Sequence, residues 1–201
     1  MNQTWRMATR AVFAVTLVGV LTACGTGRNG QSPTQFDLGA SQPRSSATLA
    51  ANPPVTIAAA TSASLLNETM VVWRVGDKGQ PQAYSTYQWV APPARLITQR
   101  LTDRLSLQGA VLSQNVGGDL PQIRTNIQRF EQTFSESGSV SHGQLTMQVV
   151  LVKGSKVADQ LLIDISVPAK SQDAMGGAQA LREATDQAVE QVAQWLTPQL
   201  K

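Results

Sequence analysis

Alternation of apolar and polar positions, a period of two, dominates most of the chain after residue 35 and marks strands. Gln35-Phe36-Asp37-Leu38-Gly39 predicts a short strand, and Ala40 to Pro54, rich in Ser, Ala, Asn and Pro, predicts a loop. Val55 to Ala60 is a further strand candidate. Met70 to Val75 (MVVWRV), the turn Gly76-Asp77-Lys78-Gly79 and Gln82 to Trp89 (QAYSTYQW) predict a β-hairpin. After Pro92-Pro93 the period changes. Ile97, Leu101 and Leu105 recur at helical spacing, predicting an amphipathic helix from Ala94 to about Gln108. Arg95, Arg100, Asp103 and Arg104 fall mostly on the other side, which predicts a solvated face. A short strand over Ala110 to Gln114 and a turn at Gly117-Gly118-Asp119 follow. In Gln122 to Phe134, Ile123, Thr125 and Ile127 share one parity while Phe130 and Phe134 take the other. That switch predicts a β-bulge near Gln128-Arg129. Leu145 to Leu151 and Val157 to Val167 alternate about Gly154-Ser155 and predict a second hairpin. A last helix carries an apolar stripe from Ala178 to Trp195. Gly176-Gly177 stands before it, Pro198 marks its end, and Glu183, Asp186, Glu190 and Gln194 face away. The order predicts an α/β fold: a single globular domain over residues 35–201, with two principal amphipathic helices packed on a mixed β-sheet of hairpins.

The first 34 residues follow a different pattern. Met1 to Arg10 has two arginines and no acid, Ala11 to Val20 is an apolar run of ten, and Leu21-Thr22-Ala23-Cys24 follows. A basic head, a short apolar run and small residues before a break are the layout of a secretory signal. The run falls short of the roughly 20 residues needed to cross a bilayer. Leu-Thr-Ala-Cys resembles the bacterial lipobox, in which the cysteine thiol is lipidated and the chain is cut before it. This assigns residues 1–23 to a signal peptide, Cys24 to lipid attachment and residues 24–34 to a flexible tether. Buried methylenes contribute about 0.8 kcal/mol each, so several acyl chains on one residue anchor firmly.

Composition then narrows the functions. The chain has 201 residues, 42 % apolar, and only 14 % charged, against an average of about 25 %. The net charge is +3. Loss of Arg6 and Arg10 with the signal leaves 14 basic against 13 acidic side chains. No Lys/Arg run or basic stripe interleaved with aromatics exists, so no nucleic-acid partner is expected. Cys24 is the only cysteine, so no disulfide can form within the chain. Gly25-Thr26-Gly27-Arg28-Asn29-Gly30 fits a dinucleotide fingerprint in spacing, but no strand precedes it and no helix follows. It reads as leash; the nine residues from Gly25 to Pro33 span roughly 15–18 Å. His142 is the only histidine, no His/Cys cluster suggests a metal, and no G-x-S-x-G or P-loop motif occurs. No catalytic residue and no cofactor beyond the lipid on Cys24 is expected. Trp73, Tyr84, Tyr87 and Trp89 are candidates either for packing within the hairpin or for a ligand or partner groove.

The ordered set of motifs resembles the ABC-type transport auxiliary lipoproteins, which include the paraquat-inducible type accompanying Mce lipid transporters. The residues concerned are Phe36-Asp37-Leu38, Trp73-Arg74, then Tyr84, Tyr87, Trp89 and Pro92-Pro93. They continue through Leu96-Ile97, Leu101 and Leu105, Phe130-Glu131 and Trp195-Leu196. The loop from Ala40 to Pro54 is longer than the pattern, and Trp73 stands where Tyr is expected. The resemblance implies a non-enzymatic periplasmic domain tethered to the outer membrane, a sorting that Gly25 after Cys24 favours. It implies partnership with an ABC permease complex and an Mce-type substrate-binding protein, with self-assembly into a homo-oligomer as a further expectation. A different class stays open: a structural envelope lipoprotein that braces outer-membrane machinery without handling lipid.

Overall fold

A computed structural model describes residues 32–40, 52–113 and 118–201. The expected signal peptide, Cys24, most of the expected tether, residues 41–51 of the expected loop, Gln114 of the expected short strand and Gly117 of the expected turn lie outside the described residues. Pro33–Lys201 forms one compact unit. Its elements run β1 (Thr34–Phe36), β2 (Asn52–Ile57), β3 (Thr61–Ser62), a 3-10 turn (Ser64–Asn67), β4 (Met70–Val75) and β5 (Gln82–Trp89). They continue with α1 (Pro93–Ser106), β6 (Gly109–Ser113), β7 (Gln122–Phe134), β8 (Ser141–Lys153), β9 (Lys156–Pro168) and α2 (Ala174–Gln199).

The long strand β7 organises the sheet. One edge pairs antiparallel with β8 along its whole length, and β8 pairs in turn with β9. The other edge receives three parallel strands in series: β2 at Gln122 and Ile123, β3 at Asn126 and Ile127, and β4 at Gln132 to Phe134. Beyond them β2 pairs parallel with β6, β4 pairs antiparallel with β5, and β5 pairs parallel with β1. The result is a mixed α/β sheet of nine strands with two helices. Both expected hairpins are present. The bulge falls where the parity switch places it: pairing of β7 with β8 skips Gln128, between Ile127 and Arg129. The parallel pairs have no turn between their members, so no local signal announced them.

Both helices cover one face of the sheet. Ile123, Ile127, Leu145, Met147, Val149 and Leu151 project from β7 and β8 into a core shared with Ile97 and Leu101 of α1 and Leu181, Ala184 and Ala188 of α2. Small residues let α2 approach closely. A Cβ on Gly143 of β8 would stand 2.6 Å from the Leu181 amide nitrogen and 2.7 Å from the Ala180 carbonyl carbon. That glycine is therefore set by backbone contact, not by turn geometry.

Two helix expectations are corrected. Arg100 and Arg104 are not on a solvated face; they are 3 % and 6 % exposed. Arg100 pairs with Asp186 at 3.2 Å, and Arg104 makes a two-pronged bond to Glu190 at 2.6 and 3.0 Å. Asp186 and Glu190 thus turn toward α1, not away from it. Long side chains can bury their stems along apolar surface while their heads find a partner, and a binary pattern does not separate that from exposure. Arg100 also donates to the Leu38 and Gly39 carbonyls, and Arg182 to the Asp37 carbonyl, tying the segment after β1 to both helices. The second correction concerns α2, which contains Gly176-Gly177 and Pro198. It starts at an N-cap, Asp173, whose carboxylate accepts from the Gly176 amide at 2.8 Å.

Candidate functional site

The four aromatic residues singled out in the sequence take different positions. Trp89 is 1 % exposed and packs against Phe130, ring centres 5.3 Å apart. Tyr87 stacks on Phe36 of β1 at 5.2 Å. Trp73 and Tyr84 lie 6.1 Å apart nearer the surface, with Phe134 edge-on to Trp73 at 5.9 Å. Neighbouring rings touch in one series, from Phe134 through Trp73, Tyr84, Tyr87, Phe36 and Trp89 to Phe130.

An irregular register puts Tyr84 and Tyr87 together. An odd separation along a regular strand places side chains on opposite faces. Between β4 and β5, however, pairing passes from Met70–Gln88 to Val72–Ala83, two residues on one strand and five on the other. That odd slip brings both tyrosines to the same side, with their rings 6.0 Å apart.

At the outer end of the series lies an open cavity of about 410 Å³, walled by Trp73, Val75, Tyr84 and Phe134 and rimmed by Gly138, Gln172 and Asp173. Its size falls within the roughly 300–1,000 Å³ usual for small-molecule sites. Trp73 and Tyr84 line it; Tyr87 touches Tyr84 behind the wall, and Trp89 belongs to the core. Sequence reading missed Val75 and Phe134, although both end strands whose parity places them beside Trp73. It also missed Gln132, fully buried behind the cavity. The Tyr84 hydroxyl donates to Gln132 Oε1 at 2.8 Å, and Gln132 Nε2 donates to Ser141 Oγ at 2.7 Å. Gly177 of α2 is the complement of this relay, since a Cβ there would collide with the Gln132 amide.

Burial, then the Asp173 carboxylate, then Tyr87 push the Tyr84 phenol from 10.0 up to about 12. The Gly176 amide and the Ser171 hydroxyl hold the Asp173 carboxyl below its usual value. The cavity is thus lined mainly by apolar and aromatic side chains, with one anionic group at its rim. No basic side chain lines it.

On the opposite face of β4 two of the quoted dipeptides meet. Arg74 pairs with Glu131 at 2.6 Å, and Arg129 reaches the same carboxylate at 2.9 Å and Asp77 at 3.2 Å. Glu131 is 3 % exposed. Burial alone would lower the Arg129 pKa, but its bonds and charge contacts with Glu131 and Asp77 raise it. Trp73-Arg74 and Phe130-Glu131 therefore staple β4 to β7, with the arginine–glutamate pair on one face and the rings on the other.

His142 lies in β8, half-buried, opposite Thr133 and Pro168. Among the described residues, no three His, Cys, Asp or Glu side chains cluster in a way that could hold a metal ion. Also among the described residues, no helix is long and apolar enough to cross a membrane.

The fold resembles solved structures at low identity. A protein of the DUF330 family from Xanthomonas campestris superposes with a TM-score of 0.67 at 16 % identity, over 84 % of this chain and 94 % of its own. An uncharacterised protein superposes with a TM-score of 0.64 at 14 % identity, over 83 % and 99 %. No curated protein sequence is significantly similar to the chain. The family assignment rests on residues 36–193, which match the model of the ABC-type transport auxiliary lipoprotein component. With the expected strands, hairpins and helices in place across that span, the chain belongs to the ABC-type transport auxiliary lipoprotein family.

Proposed function

We propose that this auxiliary lipoprotein is the outer-membrane partner of an Mce-type intermembrane lipid transporter and performs no catalysis itself. Lipid on Cys24 would hold it at the periplasmic face, with the domain working beside a substrate-binding Mce protein and an ABC permease. The observation that carries the reading is the family match over residues 36–193 following Leu21-Thr22-Ala23-Cys24. Its ATP-driven work would be done by another chain, since no P-loop motif occurs in this one.

Two measurements test this. Cys24→Ala should abolish labelling by radioactive palmitate and leave the precursor uncut; a labelled variant contradicts the anchor. Deleting the gene should sensitise cells to detergents, and restoring the wild-type chain, but not Cys24→Ala, should reverse it. An intact permeability barrier after deletion would favour a bracing role without lipid handling.

A further inference from the structure

We propose that the cavity between Trp73, Val75, Tyr84 and Phe134 takes one acyl chain of a lipid whose head group carries an ammonium, not a net negative charge. The inference rests on reading the protein as a membrane-tethered lipoprotein and goes beyond it by naming the site and the class of lipid.

Three observations carry it. The walls are aromatic and aliphatic, and Val75 is 38 % exposed, so apolar surface here meets solvent unless something covers it. The Tyr84 hydroxyl on the wall and one oxygen of the Asp173 carboxylate at the rim are already engaged. The Tyr84 hydroxyl is bonded to Gln132, and the Asp173 carboxylate to Gly176 and Ser171. An occupant thus gains little by hydrogen bonding to the walls and most there by burying hydrocarbon. The rim supplies one carboxylate and no cation, in a cavity also lined by Trp73 and Tyr84. A carboxylate next to aromatic faces suits an ammonium, while an anionic head group would meet repulsion and find no partner.

The point where the chain enters the domain makes a bilayer lipid the occupant. β1 runs parallel to β5 with Thr34 opposite Tyr87, so Tyr84 lies three residues upstream on the same sheet edge. At about 3.3 Å per residue this is about 10 Å from where the leash joins. The nine residues from Gly25 to Pro33 bound how far that edge can stand from the lipid on Cys24. Covalent connection thereby keeps the cavity's edge within reach of the membrane.

The test uses the mature, lipidated protein reconstituted in vesicles of phosphatidylcholine with brominated acyl chains, which quench tryptophan only near contact. Trp73 emission should be quenched, the quenchable fraction should vanish in Trp73→Phe, and Val75→Asp should remove most of it with the domain still folded by circular dichroism. Brominated phosphatidylglycerol should quench several-fold less. Equal quenching in wild type and Trp73→Phe overturns the site, and equal quenching by both lipids overturns the head-group preference. Absent quenching, together with self-association lost in Val75→Asp, would assign the cavity to a second copy and overturn the lipid. Quenching absent while an ABC permease still co-purifies removes this site alone; quenching present with no permease removes the transport reading and leaves the site.

Discussion

Tyr84 offers a direct check on the cavity wall. Its raised pKa means that the folded state holds the phenol proton more tightly than the unfolded chain does. The associated stability is fully present below pH 10.0 and is lost as pH rises through about 12. With only two tyrosines in the sequence, phenolate absorbance should show a late step near pH 12 that disappears in Tyr84→Phe. Persistence of that step would place the buried phenol elsewhere. Gly143 tests the sheet–helix contact. Gly143→Ala must push α2 outward, because backbone atoms of Ala180 and Leu181 block the new methyl group. It should destabilise the domain by about 1–3 kcal/mol in chemical denaturation; an unchanged midpoint would contradict the contact. At this scale the sequence was only partly readable. It pointed to Trp73 and Tyr84, but nothing in it distinguished them from Trp89, which the fold buries. Gln132 was hidden because it stands between Glu131 and Thr133, and polar residues in a strand ordinarily signal solvent.

The pairing of α1 with α2 is the clearest contrast between pattern and structure among the elements. The apolar stripes of both helices were legible because burial repeats with the helical period. The arginines were not, because charge was equated with exposure. Arg104 and Glu190 form the better-oriented of the two links, so they suit a double-mutant cycle. Arg104→Ala and Glu190→Ala should each destabilise, with a coupling energy of about 0.5–3 kcal/mol. Additive effects would mean that the pair only accompanies the packing of the helices. The bulge in β7 was legible because one extra residue reverses the parity of everything after it. The slip between β4 and β5 was not, although it brings Tyr84 against Tyr87. Tyr84 and Tyr87 do take opposite parities across Ser85-Thr86, but tyrosine suits either face of a strand, so the change carried no sign of burial. The start of α2 was misread for a related reason: Gly176-Gly177 looks like a break, yet the first packs against Ser171 and the second against Gln132.

Across the whole molecule, the architecture joins a sheet that is easy to read along β7, β8 and β9 to a half that is not. Local hairpins carry turn signals, while β1, β2, β3 and β4 each find a parallel partner distant in sequence. That second half holds most of the aromatic series and the point where the chain enters the domain. The tie of Asp37, Leu38 and Gly39 to Arg182 and Arg100 fixes that point to the helices. At this scale the proposed function is partnership with an Mce-type lipid transporter. The most direct measurement is affinity isolation of the full lipidated protein from crosslinked native membranes, followed by mass spectrometry. An Mce-type substrate-binding protein and an ABC permease should be recovered, both lost when Cys24→Ala prevents anchoring. Recovery of neither, from membranes that contain both, would contradict it.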